Sequence, residues 1–343
     1  MMNRLNQIAF LKANRGLKLQ TNREKMYWFF REQFRFGHRE VLLDYLGRDY
    51  SNLIWGFLQH GAHPHPNIGY WPYQELPKNL TEFHSSFVWS ENAALLAKSR
   101  GHNHVTAIGA PWLYLLSKKG LLADNNTVVR PPFSPTRELL IVPAHGSGHY
   151  FANSNYSEVV SKLRRKIGDI DASVLLYYTE FCDPQIRQIW INAGFNLECS
   201  GMAWGAEHRT VWTYNGGRPK FLANTLDLIS NHKEVICLSP TTLAIYSCSI
   251  GIPTSIQLNP ESRHPLGVVS EGKGVARLRK YDEEILNHSS NLLGNNFAER
   301  DISTEKINRS LQYLGIESIK TRNELENVLP LIEGMIPVPL NSN

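Results

Sequence analysis

Cysteine is scarce in this chain: four residues in 343, Cys182, Cys199, Cys237 and Cys248, with no C-x-x-C pair among them. Such scatter excludes a disulfide framework and a zinc ribbon, and the expectation is buried free thiols. No apolar run approaches the roughly 20 residues that span a bilayer. The opening residues, MMNRLNQIAF, lack the long apolar core of a secretion signal, so the sequence reads as cytoplasmic. Neither the P-loop nor the dinucleotide glycine fingerprint is present, and no D-x-D metal motif stands in a plausible place. No internal repeat or low-complexity tract is evident. No motif that reads RNA or DNA accompanies the basic residues, so nucleic acid is not an expected partner.

What is present is an ordinary globular composition, 42% hydrophobic and 20% charged, in a chain long enough for two domains. The formal charge of +5 is unevenly placed. Residues 1–40 hold nine Lys or Arg against three acids, so the remaining chain is close to neutral. This basic segment is interleaved with Phe10, Leu11, Tyr27, Trp28, Phe29, Phe30, Phe34 and Phe36. It suits either an anionic membrane surface or a pair of amphipathic helices whose aromatics face a core.

Between residues 138 and 258 short β-rich runs alternate with helical ones. ELLIVPA, ASVLLYYTE, FNLECS, EVICLS and IPTSIQL read as strands. YSEVVSKLRRKIG, DPQIRQIWINAG, RPKFLANTLDLISN and PTTLAIYSCSIG read as helices, the second with Asp183 as N-cap, Pro184 at the first position and Gly194 as stop. This βαβ alternation predicts a parallel, doubly wound sheet. A smaller α/β unit lies upstream, with strands at NLIWGFL, SSFVWS and HVTAIG and a helix at ENAALLAKSRG capped by Ser90. Before it, REKMYWFFREQFRFG and HREVLLDYLG read as helices ending at Gly37 and Gly47. The predicted organisation is an N-terminal α/β domain with a basic helical lead over 1–128, a linker over 129–137, a C-terminal Rossmann-like domain over 138–275, and a helical tail over 276–343. The tail reads as RKYDEEILNHSSNLL, TEKINRSLQYLG and TRNELENVLPLIEGM, without visible chemistry.

In open parallel sheets ligands bind outside the carboxyl ends of the strands, and that is where the polar oddities fall. His145, Gly146, Ser147, Gly148 and His149 follow ELLIVPA; Glu180 ends the next strand; Ser239, Pro240, Thr241 and Thr242 follow VICL; Gln59, His60 and Gly61 follow IWGFL; Ser90 and Glu91 follow FVW. The sequence places Ser239 as the cap of a helix whose first turn offers N–H groups and about half a positive charge to an anion, although Ser-Pro begins many helices that bind nothing. HGSGH has a glycine-spaced backbone that a phosphate or base can approach, and equally suits a plain turn. Downstream of Gly61, AHPHPNIGYWP holds His63, His65, Tyr70 and Trp71; a zinc site at His60, His63 and His65 is one reading, a stiff aromatic-tipped loop another.

Two α/β domains, a strand followed by QHG, the segment FVWSENAALLAKSRGHNHVTAIGAPWLYL, and the segment FLANTLDLISNHKEVICLSPTTLAIYSCSIGIPTSI resemble glycosyltransferases of the GT-B architecture, above all those of bacterial capsule and O-antigen polysaccharide synthesis. The resemblance covers roughly residues 50–258. It implies two Rossmann-like domains with parallel sheets, transfer of a sugar from a nucleotide-sugar donor to a glycan or lipid-linked acceptor, and peripheral association with the inner face of the membrane. It implies no cofactor and no metal. The donor would be held by His145, Gly146, Ser147, His149, Glu180, Ser239, Thr241 and Thr242. The acceptor would meet Gln59, Gly61, His63, Tyr70 and Trp71, with His60 as the leading base, because imidazole titrates near neutrality, and Glu91 as the second choice or else part of a helix cap. The paired acids of many retaining members are missing; Thr241, Thr242, Tyr246 and Ser247 stand in that helix. A GT-B-like epimerase or hydrolase, or a non-catalytic subunit of a polysaccharide assembly complex, fits the same pattern.

Overall fold

The computed structural model describes residues 33, 36–59, 61, 85–99, 102, 104–123, 128, 133–143, 150–151, 156–201, 220–238, 241–256, 264–265 and 302–332. Most of REKMYWFFREQFRFG and all of RKYDEEILNHSSNLL lie outside them. The strands are β1 Leu53–Ile54, β2 Phe57–Leu58, β3 Ser86–Val88, β4 Val105–Ala107, β5 Arg137–Val142, β6 Tyr150–Phe151, β7 Ala172–Leu175, β8 Asn196–Glu198, β9 His232–Cys237, β10 Thr254–Ile256, β11 His264–Pro265 and β12 Leu331–Ile332. The helices are α1 His38–Leu46, α2 Glu91–Ser99, α3 Pro111–Lys118, α4 Tyr156–Ile167, α5 Tyr178–Cys182, α6 Pro184–Asn192, α7 Phe221–Ser230, α8 Thr242–Ser249, α9 Thr304–Tyr313 and α10 Arg322–Val328. The chain forms two compact units: Met1–Val129 with Ala203–Ala223 and Gln312–Asn343, and Arg130–Met202 with Asn224–Leu311.

The second unit carries the predicted doubly wound sheet. Its five strands lie in the order β10-β9-β5-β7-β8, every neighbour parallel. Starting from β8, the strands come third, second, first, fourth and fifth along the chain, with helices in each crossover, which is a Rossmann-like order. Along α4 the positions Val159, Val160, Leu163 and Ile167 fall on one stripe, and all four pack with Leu139, Ile141, Val174, Leu176 and Ile236. Asp183 caps α6 as expected, its carboxylate accepting from the N–H of Gln185 at 2.8 Å and of Ile186 at 3.3 Å, with Pro184 in the first turn.

Arg164 fastens the ends of α4 and α6. Its Nε donates to the carbonyl of Ala193 (2.8 Å), Nη2 to Gly194 (2.7 Å), and Nη1 to Gly168 (3.0 Å) and Ile170 (3.1 Å). The guanidinium also lies 4.0 Å from the centre of the Phe195 ring. A planar cation thus satisfies carbonyls that helix C-termini leave open.

At the amino edge of this sheet His232 is buried, with Nδ1 2.7 Å from the carbonyl of Leu228. Burial is the main force pushing its pKa below the ordinary imidazole value; the Leu228 carbonyl opposes it, Arg137 lowers it further, and Glu198 and Asp171 raise it. The neutral ring is therefore favoured in the fold. Its stabilising contribution is complete above the unfolded value of about 6.5 and is lost as pH falls through the lower folded value. Denaturant unfolding at pH 7.5 and 5.5 is expected to show a larger loss of stability for the wild type than for His232→Asn; equal losses refute this origin.

The first unit holds the parallel sheet β2-β3-β4 and an antiparallel pair of β1 with β12. The expected single strand NLIWGFL is split into β1 and β2 at Trp55-Gly56. A Cβ on Gly56 would lie 2.6 Å from both the Phe87 ring and the carbonyl oxygen of Ser85, so the chain bends where only glycine fits. In α3, Pro111 through Leu116 are all buried. A helix apolar on every side shows no stripe, which is why the pattern reading gave this segment no helix.

TRNELENVLPLIEGM is helical only in its first half: α10 has a full capping box between Thr321 and Glu324, and the apolar remainder supplies β12. The chain from Gln312 onward is built into the first unit. Leu314 accepts from the N–H of Ala110 (2.7 Å), Lys320 N–H donates to the Tyr114 hydroxyl (3.0 Å), Arg322 donates to the carbonyl of Leu46, and Pro330 accepts from Trp55 N–H (2.8 Å). Among the described residues no helix is long and apolar enough to cross a membrane.

Candidate functional site

Strand order fixes where a ligand would approach the second unit. β5 and β9 are neighbours whose connections leave in opposite directions along the sheet, so the topological switch point lies between them. Their last paired residues are Val142 and Cys237, and Leu238 N–H donates to the carbonyl of Val142 at 2.8 Å. The residues that follow, His145, Gly146, Ser147, Gly148 and His149 after β5 and Ser239 and Pro240 after β9, lie outside the described residues.

Thr241, not Ser239, caps α8. Thr241 is extended (φ −146°, ψ 151°) and its hydroxyl accepts from the Leu243 N–H at 3.4 Å, so the helix begins at Thr242, two residues after the expected start. An extended backbone with an acceptor side chain is what an N-cap requires. The rest of α8 is packing: Ala244 through Ser249 are buried. Burial pushes the Tyr246 phenol far above its ordinary value and the Cys248 thiol up to about 11; the buried Cys237 thiol is raised for the same reason.

Buried thiols are thus found at two of the four cysteines. Cys182 is exposed and Cys199 half-buried. The latter follows β8, the edge strand, where cover is incomplete, and its sulfur accepts from the Gly201 N–H at 3.3 Å.

Glu180 also departs from expectation in its setting. β7 stops at Leu175, and the chain turns through Leu176 and Tyr177 into the single turn of α5. Glu180 therefore stands on a helix rather than at a strand end. It is 7% exposed, and its Oε1 accepts from the Tyr156 hydroxyl at 2.8 Å. A buried carboxylate on the carboxyl side of the sheet is suited to accept from sugar hydroxyls.

In the first unit the carboxyl ends of β3 and β4 are occupied by protein. Gly109 and Ala110, which follow β4, meet Gly315 and Leu314, and Gly315 sits against the backbone of Trp89 and Ser90. The end of β2 is different. Gln59 N–H continues the ladder to Phe87 O (3.0 Å), and its side chain turns back on the protein, with Oε1 accepting from Trp89 N–H (3.0 Å) and Nε2 donating to Gly61 O (2.9 Å). The Gln59 carbonyl accepts from the Trp89 indole N–H at 3.1 Å. Ser90 caps α2, its hydroxyl accepting from Ala93 N–H at 3.3 Å. Glu91 is the exposed first residue of that helix. His60, His63, His65, Tyr70 and Trp71 lie outside the described residues.

Sequence reasoning passed over Trp89 and Tyr156, the partners that hold Gln59 and Glu180; aromatic residues with a polar tip at strand and helix ends are the signal that could have found them.

No protein-family model matches the chain, and no curated protein does. Among solved structures it is similar to an S. aureus MnaA–UDP co-structure, with a TM-score of 0.37 and 11% identity over 80% of this chain and 65% of that one. It is also similar to a UDP-N-acetylglucosamine 2-epimerase, with a TM-score of 0.35 and 8% identity over 96% of this chain and 78% of that one. The chain thus spans just under two thirds of the length of the first. Likeness at this level carries no functional argument. The fold, α/β with parallel sheets and a Rossmann-like strand order in the second unit, rests on the strand pairings themselves.

Proposed function

We propose that this chain is a glycosyltransferase that moves a sugar from a nucleotide-sugar donor to a glycan or lipid-linked acceptor, as in bacterial surface polysaccharide synthesis, without a metal. One observation carries the reading: the switch point of the second unit lies between β5 and β9, the two strands followed by HGSGH and SPTT. In such sheets nucleotides bind at the switch point, with phosphates on a helix N-terminus.

In this reading Thr241 and Thr242, with Ser239, receive the donor's phosphates, His145, Gly146, Ser147 and His149 border them, and Glu180 accepts from donor hydroxyls. Hydrogen bonds and the helix terminus stabilise the leaving nucleotide as charge develops on it. The first unit supplies the acceptor side through the β2 loop, with Gly61, His63, Tyr70 and Trp71 as its contacts, whereas the Gln59 side chain is engaged with Trp89 and Gly61. His60 takes the proton of the attacking hydroxyl, with Glu91 as the second candidate.

Thermal unfolding with UDP, GDP, CDP, CMP and dTDP tests the reading. One of them is expected to stabilise the chain, by about 2.7 kcal/mol at a hundredfold excess over its dissociation constant. Protection by none sinks the proposal. Turnover of the matching nucleotide sugar without any acceptor would instead identify an epimerase or hydrolase.

A further inference from the structure

The end of β2 is bound to the end of β3 more firmly than sheet pairing alone requires. Beyond the ladder bond from Gln59 N–H to Phe87 O, Gln59 and Trp89 exchange two further hydrogen bonds, amide Oε1 with Trp89 N–H and Gln59 carbonyl with the indole N–H. A third ties Gln59 Nε2 to Gly61 O, on the far side of position 60. Gln59 is 8% exposed and Trp89 1%. On its other side the indole meets the buried His38 ring edge to face, centroids 6.0 Å apart. Leaving any of these buried polar groups unmade is costly, so the backbone at 59 and 61 is held in one arrangement.

We propose that Gln59 and Trp89 are positioning residues: a clamp that holds the Gln59 backbone and the Gly61 carbonyl, the two neighbours of His60 in the chain, and on which turnover depends. Gln59 is then an internal brace rather than an acceptor contact. The inference rests on the reading of His60 as the base, but the clamp itself is measurable without it.

Proton exchange of the Trp89 indole N–H, its signal assigned by loss in Trp89→Phe, isolates the clamp. Gln59→Leu removes only side-chain hydrogen bonds and leaves the carbonyl that accepts from the indole. Exchange is nevertheless expected to accelerate about tenfold or more, because that carbonyl is no longer held in place. Unchanged exchange in a folded Gln59→Leu protein overturns the clamp. Trp89→Phe keeps an aromatic ring against His38 and loses the indole donor. With the nucleotide sugar as substrate, kcat is expected to fall about tenfold or more, with the donor KM within about twofold of wild type. Unaltered kcat, or a loss confined to donor KM, overturns the positioning role. If the wild type turns over no nucleotide sugar, the functional reading fails, and indole exchange alone decides the clamp.

Discussion

Gly315→Ala is expected to abolish or severely weaken folding of the first unit, lowering stability by more than about 3 kcal/mol. Gly315 has φ +73°, and a Cβ there would overlap the carbonyl oxygen of Trp89, lie 2.5 Å from its carbonyl carbon and 3.2 Å from the Cα of Ser90. These are backbone atoms of β3's end, held by the bonds from Gly109 N–H to Trp89 O and from Trp89 N–H to Gln59. The obstacle therefore cannot rotate away. Gly168→Ala is the control. It has nearly the same backbone, φ +64°, but nothing lies within 4 Å of the added carbon, so only the left-handed conformation costs, about 1 kcal/mol. Denaturant unfolding of the two variants should separate them widely. Similar losses would show that dihedral strain, not the close approach, makes Gly315 necessary.

The second large effect is expected at a buried ion pair. Arg39 and Glu40, consecutive residues in the first turn of α1, have no exposed side-chain surface. Glu40 Oε1 accepts from Arg39 Nη2 at 2.7 Å and from Nε at 3.1 Å. Two charges withdrawn from water gain little net stability from each other, but removing the Arg39 guanidinium takes the cation away from a fully buried Glu40 carboxylate. Arg39→Met is expected to cost about 3–5 kcal/mol. The double variant Arg39→Met, Glu40→Leu should recover a large part of that loss, because the carboxylate leaves together with its cation. Chemical denaturation of wild type, both single variants and the double variant measures the coupling; a double variant as unstable as the sum of the singles would show that the two groups act independently.

Where local chemistry decides, the sequence was a sufficient guide. Asp183-Pro184 specified the start of α6, and alternating β-rich and helical runs specified the parallel sheet of the second unit. It failed where structure depends on distant partners or on missing contrast. Nothing within TRNELENVLPLIEGM tells that its second half pairs with Leu53–Ile54 across most of the chain. α3 is apolar on all sides, so no periodicity marks it. The cap of α8 was misplaced by two residues because Ser239 and Thr241 are equally good acceptors, and only the backbone at Thr241 distinguishes them. The carboxyl-edge rule names one edge of each sheet as the place for a ligand. It did not reveal that Leu314 and Gly315 occupy the ends of β3 and β4, which leaves the β2 loop as the described strand end of β2-β3-β4 that this segment does not cover.

The pairing of β12 with β1 also bears on how the protein comes into being. The first unit draws its pieces from residues before 130, from 203–223 and from 312 onward, with the second unit encoded in the two stretches between them. On a ribosome adding about 5–20 residues per second, β1, α1 and α3 emerge on the order of ten seconds or more before the segment that completes them. During that interval the carbonyl of Leu46 and the N–H groups of Ala110 and Trp55 await their partners. The second unit, although later in the chain, has all its strands before the first unit can close.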